Sequence, residues 1–127
     1  MKKPNRSAPA IKWLDMVEEH DYPAAASYLN LVYAPTRVSK IISRLRAAKI
    51  VEFKAKDIFR ASELSLLGVS NSHVMKDTNK IREGKRLSPL LLVRDKSNVK
   101  LVIADGYHRL CAIYQYDEDA LIRAKIA

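Results

Sequence analysis

The spacing of apolar residues changes at Ile50, and this change limits the folds open to the chain. Before it, apolar residues recur every three or four positions, which is typical of amphipathic helices. After it, Ile50–Ala55 alternates apolar and polar residues as a half-buried strand does. A chain of 127 residues is long enough for one compact domain with a helical extension. We therefore predict a basic arm and helical segment over residues 1–49, followed by a domain over residues 50–127.

The first part predicts three short helices. The first begins at Ile11, where apolar residues follow at helical spacing. After a break with Asp21 as a cap, the second spans residues 24–33. Thr36 is expected to cap the third, Arg37–Lys49.

The third predicted helix separates apolar from basic residues. Its apolar stripe is Val38, Ile41, Ile42, Leu45 and Ala48. Its other faces carry Arg37, Lys40, Arg44 and Arg46, without an acid in the segment. Such a helix could lie on nucleic-acid phosphates, but basic residues are also common on exposed helix faces, and no base-reading pattern is evident. Both interpretations stay open.

The second part predicts an α+β domain. The expected order is strand, helix, strand, strand, helix, strand, with a mixed sheet. Residues 57–60 lead into an irregular stretch, and turn and cap chemistry follows at residues 68–71. The predicted elements are strand 50–55, helix 72–83 ending at Gly84, strand 90–94, turn 95–98, strand 99–103, helix 107–116 and strand 121–126.

Composition narrows the class of protein. Lys and Arg number 23 against 14 Asp and Glu, a formal net charge of +9, which favours a phosphate-bearing partner or a well-solvated basic surface. No apolar run is long enough to span a membrane. A single cysteine excludes an internal disulfide and a cysteine-built metal site, so we expect a cytoplasmic protein.

The stretch from Ala104 to Ala112 carries the strongest functional signal. A strand is predicted to end in a tight turn at Gly106, where a helix begins with free backbone N–H groups that attract an anion. Arg109 can add a bidentate contact to a phosphate, and His108 can act as an acid or base. A purely structural alternative is also open, in which Asp105 caps the helix, His108 packs and Arg109 pairs with Asp105 or a surface acid.

The same stretch resembles the ParB/sulfiredoxin-like superfamily, the N-terminal domain type of partition proteins. Gly106, Arg109 and Ala112 match its G-x-x-R-x-x-A box at a helix start after a strand. The order of elements from about Ile50 to Ile126 is similar as well. Sulfiredoxins carry their reactive cysteine where this chain has Tyr107, which argues against sulfinic-acid-reductase chemistry here.

The resemblance implies a small ParB/sulfiredoxin-like fold and a nucleotide, CTP, ATP or ADP with Mg²⁺, at the turn. The residues expected at the ligand are Gly106, Tyr107, His108, Arg109, Arg60 and Ser72, the last at a second predicted helix start. His108, Asp105 and His73 are the candidate acids and bases. No cluster has metal-ligand spacing, so we expect Mg²⁺ to arrive with the nucleotide phosphates.

Three functions stay open. The first is a stand-alone domain that binds a nucleotide or another phosphate ligand at residues 105–109. The second is a small phosphotransferase or nuclease that uses the same site. The third is a DNA-binding or partner-binding module that uses the Arg37–Lys49 helix. The Tyr- and Ala-rich helices before residue 50 could also hold a homodimer together.

Overall fold

The computed structural model of this chain describes residues 10–68 and 71–127. The predicted arm therefore lies almost entirely outside the described residues, as do Val69 and Ser70 of the predicted turn. The elements in chain order are β1 (Lys12–Trp13), α1 (Asp21–Leu29), α2 (Pro35–Ala47), β2 (Val51–Lys54), α3 (Ala55–Ser62), α4 (Ser72–Arg82), β3 (Arg86–Leu87), β4 (Leu90–Asp95), β5 (Lys100–Asp105), α5 (Tyr107–Tyr116) and β6 (Leu121–Ile126).

The main sheet has four strands in the order β2-β6-β4-β5. Strands β4 and β6 are parallel, and the other two pairs are antiparallel. Strands β1 and β3 form a separate parallel pair. The predicted α+β class with a mixed sheet is confirmed.

Strand β4 is buried on both faces of the sheet. Leu90 and Leu92 belong to a core shared with α3, α4 and α5, whereas Leu91 and Val93 belong to a second core shared with α1 and α2. Successive side chains of a strand point to opposite faces, so helices on both faces require apolar residues at every position. This burial explains the unbroken apolar run in the sequence.

The N-terminal helices cover one face of the sheet. Ala25 and Leu29 of α1 and Leu45 of α2 are fully buried there. They pack against Leu91 from β4 and Ala104 from β5. Residues from the first part of the chain thus lie on the strand that leads into the predicted site.

The helix predicted from Ile11 is wrong. Lys12 and Trp13 instead pair with Arg86 and Leu87 as a short strand. Both helical and extended backbones place residues such as Ile11 against a core, and the pairing partner lies more than seventy positions further along the chain. Local spacing therefore could not distinguish the two structures.

Two predicted helix starts are also wrong. Asp21 lies in the first turn of α1 and His20 is the cap residue, because the Asp21 carboxylate is used in a tertiary contact. Helix α2 begins at Pro35 after Ala34, without a side-chain cap, so Thr36 lies inside it. Proline suits the first helical turn, where its missing N–H costs nothing.

Residues 57–60, predicted to lead into an irregular stretch, lie within α3, a helix that was not predicted. Ala55 and Ile58 are buried at helical spacing, and the helix has only eight residues, too few to give a clear periodic pattern. The strand predicted over residues 99–103 begins one residue later and ends two residues later in the structure, where β5 runs from Lys100 to Asp105.

Strand β3 was not predicted, and the other elements of the domain agree with prediction to within one or two residues. Helix α4 begins where Asn71 accepts from the backbone N–H groups of His73 and Val74, and Gly84 follows its end with φ +71°. Helix α5 and strand β6 have the predicted bounds. Within residues 10–68 and 71–127, every helix is too short or too polar to cross a bilayer.

Candidate functional site

The turn between β5 and α5 requires glycine. Gly106 has φ +105°, a conformation that side chains with a Cβ rarely adopt. A Cβ at this position would lie 2.6 Å from Leu90 Cγ and 2.9 Å from Arg109 Nη2. Gly106 is also the cap residue of α5, and no side chain of the described residues caps the first turn. The backbone N–H groups at this helix start therefore keep their partial positive charge.

The start of α4 lies beside the start of α5. His73 and His108, each the second residue of its helix, have ring centroids 4.8 Å apart, with the ring planes tilted by 39°. His73 is exposed and His108 is half-buried, so the pair is open to solvent on one side. The uncapped start of α5, the start of α4 that Asn71 caps, and two imidazoles thus converge on one surface.

Tyr107 extends this surface and ties it to the preceding loop. Its ring stacks on His108 with centroids 5.7 Å apart. Its hydroxyl donates to the carbonyl of Ser65, and Gln115 Nε2 donates to the carbonyl of Leu67 at 2.6 Å. The loop after α3 is therefore held against α5, and burial raises the pKa of the Tyr107 phenol.

Arg109 is engaged within the protein. Its Nη2 donates to Asp105 Oδ2 at 2.7 Å, and its Nη1 donates to Asp21 Oδ2 at 3.2 Å and to the carbonyl of Ser88 at 3.0 Å. The Arg109 side chain is only 13% exposed. The pairing of Arg109 with Asp105 in the structural alternative is confirmed, with Asp21 as a second acid, but Asp105 does not cap α5, whose cap residue is Gly106.

Asp21 joins this cluster from the N-terminal part of the chain. Its Oδ2 also accepts from the Ser88 hydroxyl at 2.6 Å, and that hydroxyl accepts from the Glu18 backbone N–H at 3.0 Å. His20 Nε2 lies 3.3 Å from Asp21 Oδ1. The local sequence predicts only a helix cap at Asp21 and no site role for Ser88, because nothing local indicates that either residue meets Arg109.

Two carboxyl groups at the site have raised pKa values. Burial raises the pKa of Asp105 to about 6, with Asp21 adding to the rise and Arg109 opposing it. Burial also raises the pKa of Asp77 in α4, against the lowering effects of Lys80, Arg109 and His108. Asp77 was missed by the sequence analysis, although it follows His73 by one helical turn. Perturbed carboxyl groups concentrate at functional sites, but ion-pair networks also produce them.

The other two predicted ligand residues lie differently. Ser72 is exposed at the start of α4, next to His73. Arg60 is on α3, where its Nη2 lies 3.5 Å from Asp57 Oδ1. It lines a hollow of about 340 Å³ with Phe59, Leu64, Leu66 and Tyr114, none of which is in the histidine pair or the Arg109 cluster. The structure thus brings Ser72 to the histidine pair and gives Arg60 other neighbours.

The basic face of α2 forms a separate surface. Arg37, Lys40 and Arg44 line a cavity of about 240 Å³ beside β4, and none of the described residues that line it is acidic. Arg46 lies elsewhere, with Nη1 2.5 Å from Glu19 Oε1 and its guanidinium 4.2 Å from the Tyr22 ring centroid. Three of the four predicted basic residues therefore share one location.

Comparisons with protein-family models, curated proteins and solved structures found no significant match for this chain. The resemblance of the Gly106 turn to the ParB/sulfiredoxin-like box therefore stays a prediction. In the described part of the chain, no three His, Cys, Asp or Glu side chains are grouped as metal ligands. The carboxylates nearest the turn already accept from Arg109, so a cation there would depend on oxygens of its ligand.

Proposed function

We propose that residues 50–127 form a ParB/sulfiredoxin-like domain that binds a nucleotide or another phosphate ligand where α4 and α5 begin. The single observation that carries this proposal is the meeting of His73 and His108 at two adjacent helix starts. Mg²⁺ enters with the phosphates, which supply most of its ligands.

The chemistry of this surface suits a phosphate. Backbone N–H groups at a helix start bind anions, and α5 has no capping side chain that competes for them. The two imidazoles add N–H donors and, when protonated, positive charge. Tyr107 offers an aromatic face beside them on which a base or sugar can pack.

Arg109 holds the turn in place and does not contact the proposed phosphate. Its guanidinium is held between Asp105 and Asp21, so it fixes the turn and does not reach outward as the sequence suggests. Two carboxylates and one guanidinium leave a net negative charge when all are ionised. Protonation of Asp105, whose pKa is raised to about 6, removes that charge and makes the turn more favourable to an anion.

Calorimetry with ATP, ADP, CTP and GTP, each with Mg²⁺, tests the proposal. We expect one of the nucleotides to bind. His73→Ala and His108→Ala should each lower the affinity for that nucleotide about tenfold. Arg82→Ala is the control, because this exposed residue lies in the last turn of α4, away from the histidine pair and from the Arg109 cluster. Absence of heat with all four nucleotides and with inorganic phosphate would refute phosphate binding here.

Catalysis on the same surface is an alternative to simple binding. His73 and His108 lie together, and Asp105 has a pKa within the range useful for a general base. A phosphotransferase or nuclease would release phosphate or nick DNA, and the double His73→Ala/His108→Ala variant would abolish it. Equal turnover by the native protein and the double variant would exclude catalysis at this surface.

Nucleic-acid binding through α2 is the second candidate function. The cavity lined by Arg37, Lys40 and Arg44 without an acid is the observation that favours it. Binding to duplex DNA should weaken steeply with salt and should be lost in Lys40→Glu/Arg44→Glu. Binding that does not depend on salt would contradict this function.

Self-association stays a prediction for the α1 region. Tyr28 near the end of α1 and Leu31 and Val32 just after it are exposed, with Leu31 exposed at 86%. Sedimentation of the protein, compared with that of Leu31→Ser, distinguishes a dimer from a monomer.

A further inference from the structure

A third cavity lies on the sheet, away from the Gly106 turn. It has a volume of about 370 Å³, within the range of about 300–1,000 Å³ typical of small-molecule sites. All four strands of the main sheet contribute to its floor, and α3 forms one wall. The apolar lining is Phe53, Ile58, Ala61, Leu92, Leu101 and Ile126.

The rim of this cavity is positively charged. Arg94 of β4 and Lys100 of β5 line it and are exposed. Among the described residues, neither side chain forms an ion pair. The one acid in the lining, Asp57, lies 3.5 Å from the guanidinium of Arg60. Two cations at the mouth of an apolar cavity therefore remain available to an anion.

A strained residue stands at the same rim. Val99 has φ +52° in the turn between β4 and β5, and its side chain is 88% exposed. Left-handed backbone is costly for a β-branched residue, and packing does not offset the cost at an exposed position. Such outliers cluster at ligand-binding segments. The strain and the cavity are independent observations on one location.

We propose that this cavity binds a small organic acid, with its hydrocarbon body on the apolar floor and its carboxylate between Arg94 and Lys100. The floor excludes a highly charged ligand, because burial of unpaired charge is costly. The rim selects the anion, because charge-assisted hydrogen bonds to a carboxylate are stronger than those to a neutral group. This proposal does not rest on the proposed phosphate site, so the experiments on the two sites can succeed or fail separately.

Octanoate is the probe, titrated into ¹⁵N-labelled protein and followed by amide chemical shifts. We expect saturable shifts confined to residues around Leu101 and Ile126, and weaker binding of octanol and octylammonium. Ala61→Phe should block binding, because Ala61 is exposed on α3 at the cavity wall. Ala24→Phe, which adds the same side chain to the exposed part of α1, should leave affinity unchanged.

The rim is tested separately. Arg94→Gln/Lys100→Gln should weaken octanoate about tenfold and leave octanol unchanged. Lys96→Gln removes an exposed charge from the same hairpin, outside the cavity lining, and should have no effect. Shifts that do not saturate, that map elsewhere or that persist in Ala61→Phe would overturn the site. Equal affinity for octanoate and octylammonium would overturn the carboxylate assignment.

Discussion

Arg109 and Asp21 are 88 residues apart in the chain, and Arg109 Nη1 donates to Asp21 Oδ2 at 3.2 Å in a largely buried contact. Asp105 accepts from the other terminal nitrogen. One guanidinium thus joins the first turn of α1 to the turn that leads into α5. The N-terminal helices are part of the electrostatic environment of the candidate site as well as a cover for the sheet.

Removal of Arg109 should destabilise the protein strongly. Arg109→Ala leaves the buried Asp21 and the half-buried Asp105 carboxylates without their cation, and breaking a buried pair costs about 3–5 kcal/mol. The free energy of unfolding in urea measures the loss. Arg82→Ala is the control, since this exposed arginine should contribute within about 0.5 kcal/mol. A loss of unfolding free energy in Arg109→Ala no larger than the loss in Arg82→Ala would show that the contacts of Arg109 with Asp21 and Asp105 do not stabilise the protein.

Glycine should be far more important at 106 than at 84, although both have positive φ. Gly106→Ala must displace Leu90 and Arg109 as well as hold a left-handed backbone, and we expect a loss of about 2–4 kcal/mol. At Gly84 the nearest contact of a new Cβ is 3.6 Å, to the flexible end of Lys12. Gly84→Ala should therefore lose only about 1 kcal/mol. Thermal unfolding of both variants tests the difference, and equal losses would refute the crowding at Gly106.

Asp105 should make the protein less stable as pH rises from about 4 to 6. Its pKa is raised in the folded state by burial, so the folded protein binds a proton more tightly than the unfolded chain does. The stabilisation by that proton is present near pH 4 and is lost as pH passes the folded pKa. Because the group is partly solvated, we expect a loss of about 1–2 kcal/mol.

The variant Asp105→Asn isolates this contribution. The measurement is the difference in unfolding free energy between the native protein and Asp105→Asn, because the titration of the other acids cancels in this difference. The difference should fall as pH rises from about 4 to 6. A difference that stays constant or rises with pH would show that the Asp105 pKa is not raised.

Val99→Gly should stabilise the protein. The substitution relieves left-handed backbone at a residue that is 88% exposed, and the gain exceeds the entropy that glycine adds to the unfolded chain. We expect about 1 kcal/mol more stability in urea unfolding. Val99→Ala keeps a Cβ and should gain less than half of this. Destabilisation by Val99→Gly would indicate that the Val99 side chain makes stabilising contacts.

Elements with signals inside their own length could be predicted from sequence. Helix α4 has a capping residue at Asn71 and a glycine stop at Gly84, and both signals act on backbone within one turn. Helix α5 follows a glycine whose φ of +105° other residues rarely adopt. In contrast, β1 exists because Trp13 pairs beside Leu87, and no local property of either segment reveals the other.

The sequence by itself determined the α+β class, the strands and helices of the second part other than α3 and β3, and the turn at Gly106. Its apolar periodicity and turn residues act over short stretches of chain, so they can be read locally. Tertiary structure alone decided that Arg109 is bound by Asp21 and Asp105 and that His73 meets His108. These contacts join residues far apart in the chain. The burial that raises the pKa of Asp105 and the cavity on the main sheet both depend on the packing of the whole fold.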